Sequence, residues 1–231
     1  MRKILLLACT FGLLAGSAFG ALSKDEVKRL SQAGTVVTEL RNTPEKGIPE
    51  DLWAKAQCVL VIPSMKKAAF VVGGEYGAGA MSCRKGSSDW SAPVFMQLAK
   101  GSWGLQIGAQ ETDVVLLVMN RRGLEKLLED KVSLGADASV AAGPVGRAAG
   151  AATDAQMSAE MLSYSRSQGL FAGIDLSGGM LRPDKDANAH AYTGVTPRDV
   201  VMGDKPATPP AEAAPFLRAL RQEARATTGR K

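Results

Sequence analysis

The feature that most limits the fold is the recurrence of glycine between residues 101 and 175, set among small and β-branched residues. Glycine has no Cβ, so it allows two backbones to approach closely and permits tight turns and bulges in strands. This stretch therefore predicts closely packed strands in a sheet. It is not typical of a polar catalytic centre.

The first twenty residues have the pattern of a cleaved secretory signal, with the cut expected before Ala21. Arg2 and Lys3 form a short positive region, residues 4–14 are largely apolar, and small residues follow at 18–20. The apolar stretch is too short to cross a bilayer, which takes about 20 residues. We therefore expect a periplasmic or secreted protein, soluble or peripherally associated with a membrane.

The rest of the chain is expected to form one domain over residues 21–202, followed by a linker and tail over 203–231. The formal net charge is +5, and removing Arg2 and Lys3 leaves +3. Residues 203–231 alone carry +3, so the domain is close to neutral. Nucleic-acid binding normally needs a basic face on the folded body, so it has little support here.

The segment 203–231 begins with prolines, which predict a linker, and continues with a short basic helix at 216–226. Two interpretations of this helix remain open. It is either a solvated tail, which we favour, or an anchor for a membrane surface or a partner.

The pattern of apolar segments predicts an α+β fold. Ser23 is expected to cap an N-terminal amphipathic helix over residues 23–41. Further expectations are strands at 58–62, 68–73, 80–84 and 113–119, a turn at 64–67, and a hairpin of 90–100 with 102–110. We expect short peripheral helices around a mainly antiparallel β-sheet, either open or partly closed into a barrel.

Two cysteines remain after the signal, Cys58 and Cys83. They can pair in an oxidising compartment, and both lie in predicted neighbouring strands. We favour a disulfide over two buried free thiols. A catalytic thiol is not expected, because the single histidine of the chain, His190, is distant from both cysteines in sequence.

Three other motifs are weak. The glycine-rich run 73–79 has the wrong spacing for a dinucleotide fingerprint. Residues 184–188 begin like a calcium loop, but Ala189 and Val195 replace the required glycine and glutamate, so a capped turn is favoured. His190 is not accompanied by a Gly-x-Ser-x-Gly elbow. We therefore predict a protein without enzymatic activity, cofactor or metal site.

Several short segments, taken in this order, resemble the SYLF domain family over about residues 22–194. They are Ile62-Pro63-Ser64, residues 69–77, Trp90-Ser91-Ala92-Pro93, residues 106–110, residues 135–139, Tyr164-Ser165-Arg166 and residues 169–173. The resemblance implies a non-enzymatic lipid-binding module. Eukaryotic members of the family recognise phosphoinositides through an N-terminal amphipathic helix and a basic surface, and some bind actin.

A secreted chain would not meet cytosolic phosphoinositides or actin. The resemblance and the predicted signal together therefore indicate binding to other anionic phospholipids, those of a bacterial envelope. The first alternative is a structural or interaction protein of the envelope that binds a protein partner. The second is an enzyme with a carboxylate-based site.

Membrane attraction needs cations, each contributing about 1 kcal/mol beside an anionic leaflet, and apolar groups that insert. The sequence offers cations on the first helix and in two turns, with a tryptophan suited to interfacial depth. The candidates are Lys24, Lys28, Arg29, Lys66, Lys67, Arg84, Lys85 and Trp90. If the strands are sequential neighbours, the two basic turns lie on one edge of the sheet. The alternative is ordinary solvated turns, a core tryptophan, and a first helix that covers the core.

Overall fold

A computed structural model describes residues 21–41, 47–69, 72–86, 89–103, 108–146, 156, 158–167 and 170–228. The predicted signal sequence at 1–20 lies outside these residues. The described part is a mixed α+β fold with a mostly antiparallel sheet, strongly curled into a half-barrel, and several short helices. This confirms the predicted fold class and selects the partly closed sheet over the open one.

Six α-helices lie around the sheet in the described part of the chain. They are α1 (Lys24–Arg41), α2 (Glu50–Lys55), α3 (Arg121–Leu127), α4 (Lys185–Ala191), α5 (Pro197–Met202) and α6 (Ala214–Thr228). A capping box starts α1, as the sequence predicted for Ser23. The Ser23 hydroxyl accepts from the Glu26 N–H at 3.3 Å, and the Glu26 carboxylate accepts from the Ser23 N–H at 2.7 Å.

The described strands are β1 (Cys58–Ala69), β2 (Val72–Lys85), β3 (Asp89–Trp90), β4 (Val94–Trp103), β5 (Gly108–Val118), β6 (Val132–Ser133), β7 (Val140–Ala142), β8 (Met161–Ser167), β9 (Leu170–Gly173) and β10 (Gly179–Pro183). Their order is β6-β10-β4-β2-β1-β5-β8-β7, with β3 paired to β2 and β9 to β8. These pairings are antiparallel except that of β7 with β8. The long central strands therefore carry the sheet.

The predicted turn at 64–67 is wrong, because β1 runs through it. The register of β1 shifts by one residue against both neighbouring strands just after Ile62, and Ser64 has a φ of 50°. A one-residue bulge reverses which face the following side chains point to. Lys66 and Lys67 therefore belong to a strand and lie on opposite faces of the sheet.

The predicted hairpin of 90–100 with 102–110 is also wrong. β4 pairs with β2 and β10, whereas β5 pairs with β1 and β8. The β1–β2 pair thus separates β4 from β5. Gly101, which was expected in the turn, lies inside β4 opposite Gly74.

The cross-strand register assigns side chains to the two faces of the sheet, because directly opposite residues share a face. One row contains Glu111, Lys66, Tyr76 and Ala99, and the adjacent row contains Lys67, Glu75 and Lys100. We call the face of the first row the outer face and that of the second row the inner face.

The outer face is the one that α1 covers. Asp113 lies two residues along β5 from Glu111, so it shares the outer face, and it is opposite Arg166 on β8. The Arg166 guanidinium donates to Asp113 at 3.0 Å and forms an ion pair with Glu39 of α1. This three-residue cluster ties the end of α1 to the sheet.

The segment after residue 203 is not the solvated tail that we favoured. α6 packs along α1 and buries Phe216, Leu217 and Leu220. Gly34 allows this close approach, since a Cβ at that position would lie 3.1 Å from the Phe216 backbone nitrogen. The hydrophobic core therefore continues past residue 202, where the domain was expected to end.

Candidate functional site

Arg84 and Trp90, two of the predicted membrane contacts, are engaged inside the protein. The Arg84 guanidinium donates to the backbone carbonyls of Ala56 at 2.9 Å and Trp53 at 3.0 Å. It also lies 4.6 Å from the centroid of the Trp90 ring, within cation–π range. Burial lowers the pKa of Arg84, and Trp90 is only 3% exposed. These two side chains hold the end of α2 against the sheet.

Arg29 is likewise engaged. Its guanidinium donates to the Asp184 carboxylate at 2.7 Å, and that carboxylate also accepts from the Ala187 N–H as the N-cap of α4. Burial alone would raise the pKa of Asp184, but hydrogen bonds from Gln97, Arg29 and Ala187 hold it below its usual value. The favoured capped turn at 184–188 is thus confirmed.

Lys24 and Lys28 lie on the exposed side of α1, one helical turn apart. Glu26 between them is buried, and its carboxylate contacts His190 Nδ1 at 2.9 Å. This hydrogen bond raises the pKa of His190. The two lysines remain available as surface cations.

The register separates the two predicted basic turns. Lys66 is opposite Tyr76 on β2, and Arg84 lies eight residues further along the same strand. At about 3.3–3.4 Å per residue, this is about 27 Å. Lys66 and Lys67 therefore lie at one end of the β1–β2 pair, and Arg84 and Lys85 lie at the other. The expectation that they share an edge is wrong.

We call the end of the β1–β2 pair that carries Lys66 and Lys67 the open end, and a cavity of about 250 Å³ at this end the mouth pocket. Charged and hydroxyl side chains from several elements line it together with apolar ones: Met65, Lys67, Glu75, Lys100, Thr112, Val114, Ser165, Ile174, Asp175 and Leu176. The lining of the pocket is therefore mixed, with four charged residues, two hydroxyl residues and four apolar ones.

The charged groups of the mouth pocket differ in how closely they are paired. Lys67 Nζ lies 3.4 Å from a Glu75 oxygen, which is longer than a good charged hydrogen bond. Lys100 Nζ donates to the backbone carbonyl of Asp175 at 2.7 Å. Hydrogen bonds from Ser177 hold the pKa of Asp175 below its ordinary value, and the charge of Lys100 lowers it further. Both lysine heads can still donate to a ligand.

Three exposed side chains at the same end form what we call the rim: Lys66 and Tyr76 on the outer face and Leu170 on the inner face. Tyr76 is 49% exposed and Leu170 is 56% exposed, and they are the exposed large hydrophobic residues of the described part. Lys66 makes no ion pair with any described residue, although Glu111 lies opposite it. The rim thus combines a free cation with apolar surface.

Sequence reasoning missed Glu75, Lys100 and Asp175. Glu75 lies in a glycine-rich run, and its position inside β2 would have followed from the alternation of that strand. Lys100 had no comparable local signal, because it joins the row of Lys67 and Glu75 only through the pairing of β4 with β2. Asp175 had none either, because it comes to the pocket beside Lys100, which donates to its backbone carbonyl.

A larger cavity of about 830 Å³ lies beside α4 and α5 and contains none of the predicted residues. The described residues include no group of three or more His, Cys, Asp or Glu side chains that could hold a metal ion. None of the described helices is both long and apolar enough to cross a membrane.

Known proteins align with most of this chain. The family described as "Ysc84: Las17-binding protein actin regulator" matches residues 99–223. The SH3 domain-containing YSC84-like protein 1 of Rattus norvegicus is 34% identical over 193 residues, which cover 82% of this chain and 56% of that protein. Protein YSC84 of Saccharomyces cerevisiae is 32% identical over 168 residues, or 71% of this chain and 36% of that protein.

The chain thus spans about half the length of the curated relatives it matches, or less. The match to residues 99–223 includes the first part of α6, in agreement with its packing on α1. The family is a binding-type domain and not a known enzyme family. Because the family model matches residues 99–223 and a relative that is 34% identical aligns with 82% of the chain, the chain belongs to the Ysc84 (SYLF) family.

Proposed function

We propose that this protein binds anionic phospholipid membranes peripherally, with the open end facing the lipid. The observation that carries the proposal is the rim, where Lys66, which has no ion pair with a described residue, is opposite the exposed Tyr76, and the exposed Leu170 lies at the same end on the other face. A membrane surface needs this combination of positive charge and apolar side chains. Tyrosine is suited to the interface because its ring is apolar and its hydroxyl is polar.

The expected affinity of the rim alone is modest. A lysine near an anionic leaflet contributes about 1 kcal/mol, and burying one leucine side chain contributes about 1.5–3 kcal/mol. Lys24 and Lys28 on α1 would add further attraction at a separate place on the surface. Binding should therefore be reversible, should increase with the anionic fraction of the membrane, and should weaken in high salt.

The predicted signal sequence supports an envelope location for this binding. We propose that the ligands are the anionic phospholipids of a bacterial envelope and that the protein is periplasmic or secreted.

The test is co-sedimentation of the purified protein with phosphatidylcholine vesicles that contain rising fractions of phosphatidylglycerol, at low and at high salt. We expect binding that rises with the anionic fraction and falls with salt. Lys66→Gln should weaken it about five-fold, the equivalent of about 1 kcal/mol. The matched control is Lys85→Gln, at the opposite end of β2, which should bind normally.

Leu170→Ser should weaken vesicle binding at least as strongly as Lys66→Gln, because it removes the apolar contact. If the protein fails to bind at any anionic fraction in low salt, lipid binding is not its function. If Lys85→Gln has the larger effect, the membrane faces the other end of the sheet.

A second candidate is binding of a protein partner, and the family description favours it because it names Las17 binding. An exposed tyrosine and leucine are also suited to a protein interface. This second function would be favoured by two results together. The protein would not sediment with vesicles, and it would cross-link to an envelope protein in a way that Leu170→Ser abolishes.

A further inference from the structure

The mouth pocket carries a balanced set of charges, and this balance indicates what it can bind. Lys67 on β1, Glu75 on β2 and Lys100 on β4 form one row across three adjacent strands of the inner face. Asp175 also lines the cavity; its carboxylate accepts from the Ser177 N–H at 2.8 Å, and the charge of Lys100 lowers its pKa. The residues that line the cavity therefore include two cations and two anions.

We propose that the mouth pocket binds a phosphodiester-linked ethanolamine, a group with a phosphate and a primary ammonium two carbons apart. The orientation of a lipid carrying this group rests on the proposed membrane function, but the pocket chemistry does not depend on it. The phosphate would accept from the Lys67 ammonium on the side away from Glu75, where Thr112 and Ser165 line the cavity. The ligand ammonium would donate to the carboxylates of Glu75 and Asp175.

Charge complementarity distinguishes this ligand from simpler ones. A purely anionic headgroup would gain the two lysines but would also face two carboxylates, and like charges disfavour one another at such distances. A simple amine would gain the two carboxylates but would be repelled by the two lysines. A quaternary ammonium such as that of choline has no N–H to donate to Glu75 or Asp175, so it cannot satisfy them in the same way.

The present pairing leaves these groups able to change partners. Lys67 and Glu75 are 31% and 22% exposed, and their 3.4 Å separation is loose. Lys100 uses one of its three N–H donors on the Asp175 carbonyl, and the hydroxyls of Thr112 and Ser165 line the same wall. A ligand can therefore replace a weak internal contact without leaving a buried charge unpaired.

The size of the cavity agrees with a headgroup and not with an acyl chain. At roughly 30 Å³ for each liquid water, 250 Å³ holds about eight non-hydrogen atoms. Phosphate and ethanolamine together have about this number. The rest of a lipid would extend past Leu170, which is exposed at the same end and on the same face of the sheet as the pocket.

The test uses three soluble probes with the full protein, measured by titration calorimetry at low salt. We expect glycerophosphoethanolamine to bind at least ten-fold more tightly than glycerophosphoglycerol, which is anionic, and than glycerophosphocholine, which is quaternary. Equal binding of glycerophosphoglycerol, or no binding of glycerophosphoethanolamine, would overturn the proposal.

Substitutions in the mouth pocket test whether glycerophosphoethanolamine binds there. Lys67→Gln and Glu75→Gln should each weaken glycerophosphoethanolamine binding at least ten-fold. The controls are Lys85→Gln on the same sheet and Glu111→Gln on the outer face, which remove the same charges elsewhere. Circular dichroism of each variant shows whether it is folded, and Lys100→Gln provides a third pocket variant if one of the first two is not. Unchanged binding in folded pocket variants would overturn the proposal.

Vesicles separate this proposal from the proposed membrane function. Phosphatidylethanolamine added to vesicles of fixed phosphatidylglycerol content should increase sedimentation of the normal protein but not of Glu75→Gln. If anionic vesicles bind but neither the soluble probe nor phosphatidylethanolamine has an effect, the pocket proposal fails and the membrane function stands. If the soluble probe binds selectively but no vesicle does, the pocket proposal stands for a soluble phosphorylated amine and the membrane function fails.

Discussion

The two ends of the β1–β2 pair carry similar basic dipeptides, Lys66-Lys67 and Arg84-Lys85, in opposite settings. At the end with Arg84, which we call the disulfide end, Cys58 and Cys83 lie opposite each other and are joined by a disulfide. Arg84 there binds two carbonyls of the α2 end. At the open end the lysines have loose pairing or none. A basic dipeptide in the sequence can therefore be part of the fold or part of a surface, and only its neighbours decide which.

The largest expected effect is at the disulfide. The two cysteines are 25 residues apart, and closing a loop of this length in the unfolded chain stabilises the folded state by about 3.5 kcal/mol in the chain-entropy estimate. The protein refolded from urea in reductant should lose about this much free energy of unfolding. Urea unfolding followed by circular dichroism measures the loss.

The control for this prediction is the double variant Cys58→Ala and Cys83→Ala, whose unfolding should not respond to reductant. If reductant leaves the unfolding midpoint of the normal protein unchanged, the disulfide does not stabilise the disulfide end.

A smaller effect is expected from Arg84→Gln. The change removes a charged donor from the carbonyls of Trp53 and Ala56 and a cation from the face of Trp90, so we expect a loss of about 2 kcal/mol. The adjacent Lys85→Gln removes the same charge from an exposed position and should change stability by less than about 0.5 kcal/mol. Equal urea midpoints for the two variants would contradict the assigned role of Arg84.

The sequence was sufficient to predict features that depend on local pattern. The capping of α1 by Ser23 follows from side-chain hydrogen bonding within four residues. The strands at 58–62 and 113–119 follow from continuous apolar runs. The fold class follows from the number of such runs and from the frequency of glycine.

Features that depend on distant pairing could not be predicted in this way. Pro63-Ser64 has the composition of a turn, but pairing on both sides keeps β1 continuous and makes it a bulge. The docking of α6 depends on Gly34, whose missing Cβ matters only once Phe216 is beside it. The mouth pocket was missed for the same reason, since Lys67, Glu75 and Lys100 come into one row only through the pairing of β1, β2 and β4.

The smallest expected effect concerns the ion pair at the open end. A double-mutant cycle on Lys67→Gln and Glu75→Gln should give a coupling energy below about 0.5 kcal/mol that falls further in high salt, because both side chains are partly exposed and 3.4 Å apart. The same cycle on Arg29 and Asp184, which are 2.7 Å apart with Asp184 buried, should give more than about 1 kcal/mol.

The open-end cycle matters for function because a ligand must displace the Lys67–Glu75 contact in order to use both groups. A coupling energy near zero means that this displacement requires little free energy, so it hardly reduces the affinity for the ligand. A coupling energy above about 2 kcal/mol would make Lys67 a structural residue like Arg84. The two ends of the β1–β2 pair would then be alike, and the mouth pocket would not be free to bind a headgroup.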